Sequence, residues 1–270
     1  MTGVEQRDAL VRLGDIDVAY RVAGRGPAVV LVHGLAEDRH TWAAQQHDLP
    51  HLRTYAYDLR GHGDTTLGAP SGHLAQLRDD LLSFLREVSG PAVCVGFSLG
   101  GTVVLSAAAE SADLVTGAVV LGTSTVVGRA AAGFYADRIE LVGSGGASAL
   151  HDALRADTAA ALANPMSDVD GVTERRVAAV EDGAGYANGA AAMAGLRTSP
   201  LTPALAAIRS PVRVIGAEHD TFCPRKAADI ILGALEHADY QEITGAGHLM
   251  NVDDPRAVTD NLRVAVERML

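Results

Sequence analysis

Three residues of this 270-residue chain stand where nucleophilic chemistry needs them. Gly96-Phe97-Ser98-Leu99-Gly100 follows the apolar run Ala92–Val95 and opens the small-residue stretch Leu99–Glu110. A G-x-S-x-G pentapeptide between a strand and a helix makes a sharp turn that lifts the serine hydroxyl above the sheet. The pentapeptide alone is a weak signal; this context makes it a strong one. A helix beginning at Leu99 also favours negative charge developing at Ser98. A serine hydroxyl is a poor nucleophile without a base. In such proteins the chain order is serine, acid, histidine. Of the ten histidines, His248 fits best: it ends the sharp loop Gly245-Ala246-Gly247 after the last expected strand. His237 reads as solvated, and the others mostly precede Ser98. The acid is expected after the run Val212–Gly216, which leads into Ala217-Glu218-His219-Asp220. Asp220 sits in the loop, whereas Glu218 reads as strand end. The loop after Ala118–Leu121 reads Gly122-Thr123-Ser124-Thr125 and offers no carboxylate. Asp220 would fix the His248 tautomer and stabilise the imidazolium. The competing reading makes it an ordinary loop acid.

Acyl transfer also needs preset donors for an oxyanion. The Leu99 N–H follows the nucleophile directly. The Leu35 N–H is expected from His33-Gly34-Leu35-Ala36, the loop after Ala28–Val32. His33 reads as a brace for that loop rather than a base. Trp42, Phe134, Tyr135 and Met250 are expected to line a substrate pocket, with Leu249, Met166, Tyr186 and Met193 near it. Core packing would explain any one of them equally well.

These residues need a scaffold, and the hydropathy pattern describes one. Val18–Val22, Ala28–Val32, Thr54–Tyr57, Ala92–Phe97, Ala118–Leu121, Val212–Ile215 and Tyr240–Thr244 read as strands. Leu74–Val88, Leu99–Glu110, Pro224–His237 and Pro255–Met269 read as helices. Leu74, Leu77, Leu81, Leu82, Leu85 and Val88 show the helical spacing, and proline opens the last two helices. Alternating strands and helices give a mostly parallel sheet with helices on both faces. The first two strands, joined by Gly24-Arg25-Gly26-Pro27, are expected to form an antiparallel hairpin. Residues 126–200 break the rhythm: they are Ala-rich, contain no strand pattern, and are punctuated by Gly143-Ser144-Gly145-Gly146, Asn164-Pro165 and Gly183-Ala184-Gly185. About 70 residues is too long for a bare loop in a compact domain. A set of short helices forming a lid is expected there, inserted in a core of residues 1–125 and 201–270.

Other chemistries find little support. The net charge is −11, with 22 basic and 33 acidic residues and Lys226 the sole lysine, which argues against a nucleic-acid partner. Cys94 and Cys223 make neither a disulfide framework nor a zinc site. No metal or cofactor is expected, since the chain lacks an H-E-x-x-H, a phosphate loop or a dinucleotide fingerprint. The opening MTGVEQRDALVRLGD has no apolar signal region, and no apolar run approaches the ~18 residues of a membrane span. A soluble, cytoplasmic protein acting on a small molecule is expected.

The motifs together resemble the α/β-hydrolase fold family over essentially the whole chain. They are Val32-His33-Gly34, Asp58-Leu59-Arg60-Gly61-His62-Gly63, Gly96-Phe97-Ser98-Leu99-Gly100-Gly101, Gly216 to Asp220, and Gly247-His248. Asp64-Thr65 departs from relatives that often carry serine after this Gly63. The resemblance implies an eight-stranded sheet, a Ser98–His248–Asp220 triad and a helical cap at 126–200. A serine nucleophile separates the chain from dehalogenases and epoxide hydrolases, and enol-lactonase-like esterases look most similar. Cleavage of a carboxylic ester or lactone through an acyl-enzyme is the implied activity. A repurposed lyase or cyclase, a cofactor-free perhydrolase and a ligand-binding protein are the alternatives.

Overall fold

The computed structural model describes residues 6–144 and 146–270. The first residues of the N-terminal segment and Gly145 of the predicted glycine-rich turn lie outside them. Eight strands form one sheet: β1 (Gln6–Leu13), β2 (Ile16–Ala23), β3 (Ala28–Val32), β4 (Arg53–Tyr57), β5 (Ala92–Phe97), β6 (Val115–Leu121), β7 (Val212–Ala217) and β8 (Ala238–Ile243). Their spatial order is β1-β2-β4-β3-β5-β6-β7-β8. The pairs β1–β2 and β2–β4 are antiparallel, and every later pair is parallel.

The central strands β3 and β5 carry no polar side chain because both faces are covered. Val30, Val32, Cys94 and Val120 point into one buried cluster. Val29, Leu31, Val95 and Leu121 point into the other. The first cluster is closed by α2 (Leu74–Phe84) and α3 (Leu99–Glu110). The second is closed by Trp42 and Leu49, which flank α1 (Ala43–Asp48), and, later in the chain, by α10 (Pro255–Glu267), whose Val258, Leu262 and Val266 recur at helical spacing. Asp254 caps α10 by accepting the Ala257 N–H at 2.8 Å.

The expected hairpin is corrected. β2 pairs with β1 and β4, while β3 lies between β4 and β5 in parallel register. Four helices fill most of the 126–200 segment: α4 (Arg129–Ser144), α5 (Gly146–Ala161), α6 (Val169–Ala178) and α7 (Ala184–Gly195). α8 (Arg225–Gly233) and the short α9 (Met250–Asp253) complete the set. No helix among the described residues is long and apolar enough to cross a membrane.

A buried ion pair fixes the loop between β3 and α1. Asp58, fully buried at the end of β4, accepts the Arg39 N–H at 2.6 Å and pairs with the Arg39 guanidinium. Arg39 also bonds Asp64 at 2.6 Å, and the Asp64 N–H donates to Asp58 at 3.0 Å. Removing one partner strands the other in low dielectric, so Asp58→Ala is expected to cost about 3–5 kcal/mol in urea unfolding. A loss below about 1 kcal/mol, the range of an exposed pair, would rule this out.

Candidate active site

β5 ends and α3 begins with Ser98 between them at φ 52 and ψ −117. Such a left-handed serine costs about 1–3 kcal/mol, and the surroundings hold it there. The Ser98 N–H is bonded to the Leu121 carbonyl at 2.8 Å. A Cβ on Gly96 would overlap the Gly100 carbonyl, and one on Gly100 would overlap the Val32 and His33 carbonyls. Both glycines are therefore set by close backbone approach.

His248 stands after β8 in a loop anchored by the Gly247 N–H, which donates to Asp253 at 2.7 Å. Asp220 follows β7. The His248 Nε2 lies 3.1 Å from the Ser98 Oγ, and its Nδ1 lies 2.8 Å from the Asp220 Oδ2. One tautomer satisfies both contacts: Nδ1–H donates to Asp220, and Nε2 accepts from the serine hydroxyl. Asp220 Oδ1 accepts the N–H groups of Phe222 and Cys223 at 2.9 and 2.8 Å. Burial by itself would raise the Asp220 pKa. The attraction and hydrogen bond of His248, with the two N–H groups, outweigh it and hold the carboxyl below its ordinary value. The Phe97 and Phe222 rings lie 5.0 and 5.2 Å from the imidazole and fix its plane. The predicted serine, acid and histidine thus meet from three loops at the carboxyl ends of the strands.

Leu35 lines the cavity beside Ser98, and Leu99 follows Ser98 at the start of α3. Neither N–H hydrogen-bonds to a protein acceptor among the described residues. His33 is fully buried and has no free nitrogen. Its Nε2 accepts the Leu59 N–H at 2.9 Å, so its Nδ1–H donates to the Gly34 carbonyl at 2.8 Å. Burial pushes its imidazole down to about 4 from an ordinary 6.5. The unfolded chain therefore takes a proton first, and this contribution to stability is lost as pH falls from 6.5 toward about 4. Imidazole ¹⁵N spectra at a pH between those values are expected to show His33 neutral and protonated at Nδ1. A titration midpoint at the ordinary value would contradict the brace.

A cavity of about 380 Å³ opens over Ser98. Phe134 and Tyr135 of α4 and Tyr186 of α7 line it, as expected from the sequence, with Leu249 beside His248. Two pocket expectations are corrected. Trp42 and Met250 are fully buried in the second core cluster, because the faces carrying them turn toward the sheet rather than the cavity. Met193 is likewise core, and Met166 is 86% exposed. The sequence reading missed Phe222, Cys223, Asp157 and Arg176, which also line the cavity. Phe222 and Cys223 were within reach, two and three residues past the acid; Asp157 and Arg176 carry no local signal of cavity exposure.

A mostly parallel sheet with a serine on a tight strand-to-helix turn, bonded to a histidine and through it to a carboxylate, defines the class. Residues 29–261 match the sequence profile of the alpha/beta hydrolase family, and the chain belongs to that family. It is 28% identical to a pyrrolizixenacetamide deacetylase of Xenorhabdus hominickii over 265 residues, covering 91% of this chain and 92% of that protein. It is 32% identical to a pimeloyl-acyl-carrier-protein methyl ester esterase of Vibrio vulnificus over 109 residues, 40% of this chain and 41% of that protein. The enol-lactonase of Burkholderia xenovorans LB400 superposes with a TM-score of 0.85 at 24% identity, covering 96% of this chain and all of that one, and shows the shared fold.

Proposed function

We propose that the protein is a serine hydrolase that cleaves a carboxylic ester or lactone of a small molecule. The observation that carries this reading is the hydrogen-bonded chain from Ser98 through His248 to Asp220, with contacts of 3.1 and 2.8 Å beside a cavity of about 380 Å³. Ser98 Oγ attacks the carbonyl carbon as His248 Nε2 takes its proton. The tetrahedral oxyanion is held by the Leu35 and Leu99 amides, whose donors have no competing protein acceptor. Collapse breaks the bond to the leaving oxygen, which receives the proton from His248. A water then gives a proton to His248 and attacks the acyl carbon. The acid departs, and the proton returns to Ser98. Asp220 keeps its charge throughout and steadies the imidazolium. Helices α4 to α7 act as the cap, supplying Phe134, Tyr135, Asp157, Arg176 and Tyr186 to the roof and walls.

The test is a burst assay with p-nitrophenyl acetate, butyrate and octanoate. A p-nitrophenolate burst stoichiometric with enzyme, followed by steady turnover, is expected for at least one chain length. Folded protein that gives neither burst nor turnover on any of them rejects the general-esterase reading.

A further inference from the structure

Arg176 of α6 lines two cavities. One is the cavity over Ser98. The other, about 510 Å³, opens between α6, the loop after β3 and the residues following His248, where Glu37, His40 and Asn251 join Arg176 in its wall. Arg176 is therefore shared by the walls of the two cavities.

Its donors are underused. One Nη1–H donates to the Thr158 hydroxyl at 2.7 Å, while Nε is shielded from solvent and unpartnered. Arg176 makes no ion pair among the described residues. Arg39, Arg60 and Arg138 differ: Arg39 holds Asp58, Arg60 holds Asp80 and Arg138 holds Asp157. The acids that act on Arg176 are engaged elsewhere. Asp157 receives both prongs of Arg138 at 3.0 and 2.7 Å. Glu37 accepts the Gly34 N–H at 3.0 Å, and burial pushes its carboxyl up, toward the neutral form. Asn251 lines the second cavity with both side-chain polar atoms shielded and unpartnered. A desolvated cation with unfilled donors is costly until an anion arrives, and a planar carboxylate fills a guanidinium fork with two charge-assisted bonds.

We infer that Arg176 anchors a carboxylate on the substrate, so that the ester or lactone cleaved at Ser98 is itself an acid, seated with its anionic end at the arginine that the two cavities share. The cleavage part rests on the serine-hydrolase reading; the carboxylate site does not. The test uses mono-4-nitrophenyl esters of glutarate, adipate and suberate, each beside its methyl-capped neutral counterpart. Wild type is expected to favour the anionic ester in kcat/KM for at least one length. Arg176→Met is expected to lower kcat/KM for the anionic ester roughly ten- to hundred-fold more than for its neutral counterpart, through KM. Arg176→Lys is expected to recover part of it. Equal rates on both members of every pair, or an equal fall on both in Arg176→Met, would overturn the inference. Should Arg176→Met fail to fold, Arg176→Gln, which can still donate to Thr158, takes its place. Calorimetry on Ser98→Ala separates the two readings. Monomethyl esters of the same diacids are expected to bind, and to lose binding when Arg176 is also replaced. Absence of binding overturns the carboxylate site even if simple esters turn over. Arg176-dependent binding without turnover of any ester upholds the site and rejects the hydrolase chemistry.

Discussion

Ser98→Ala is expected to lower ester turnover by about 10⁴- to 10⁶-fold and to abolish the burst, while the protein stays folded. The size follows from the chemistry: no other group in the cavity floor has a hydroxyl on His248 Nε2. What survives is the contribution of the amides and of binding. The structural effect is expected to be small. Alanine keeps the Cβ, so the backbone at φ 52 is no more strained than before. The lost contact is one hydrogen bond at 3.1 Å, worth about 1 kcal/mol, and His248 remains held by Asp220. Activity and unfolding midpoint are therefore expected to separate. Turnover within about tenfold of wild type would remove Ser98 as the nucleophile; a matching collapse in stability would make the loss uninformative about chemistry, and Ser98→Cys with thiol labelling would then decide.

Asp220→Asn is the second large effect, about 10⁴-fold in kcat. Both carboxylate oxygens are acceptors here: Oδ1 takes two backbone N–H groups and Oδ2 takes His248 Nδ1–H. An asparagine can satisfy one side only. Turning its carbonyl to the Phe222 and Cys223 amides leaves its NH₂ facing His248. The imidazole must then carry its proton on Nε2 and can no longer accept from Ser98. Because Asp220 is already held below its ordinary 3.8, wild-type activity is not expected to decline from its protonation above that pH. Its contribution to stability has the matching sign, present above 3.8 and lost as pH falls through the lower folded value. A variant retaining more than about a tenth of wild-type kcat would mean that Asp220 does not set the tautomer.

Ser98, Asp220 and His248 were legible from sequence because each sits just past a strand, and the first and last lie in glycine-rich turns. That grammar is local: a run of strand length, a tight turn, a polar side chain left at the carboxyl edge. The parallel core was legible for the same reason, since strands buried on both faces read as unbroken apolar runs. What tertiary structure alone decided depends on contacts between distant segments. β1 is an edge strand with exposed positions along most of its length, so no apolar run marked it, and its pairing displaced the expected partner of β2. Trp42 and Met250 were indistinguishable in sequence from pocket residues. Which way they face depends on how their short helices dock against the sheet. Arg176 lies 78 residues beyond Ser98 on a helix whose own pattern marks nothing. Only the packing of α6 over the core makes it a cation without a carboxylate, beside the serine it would serve.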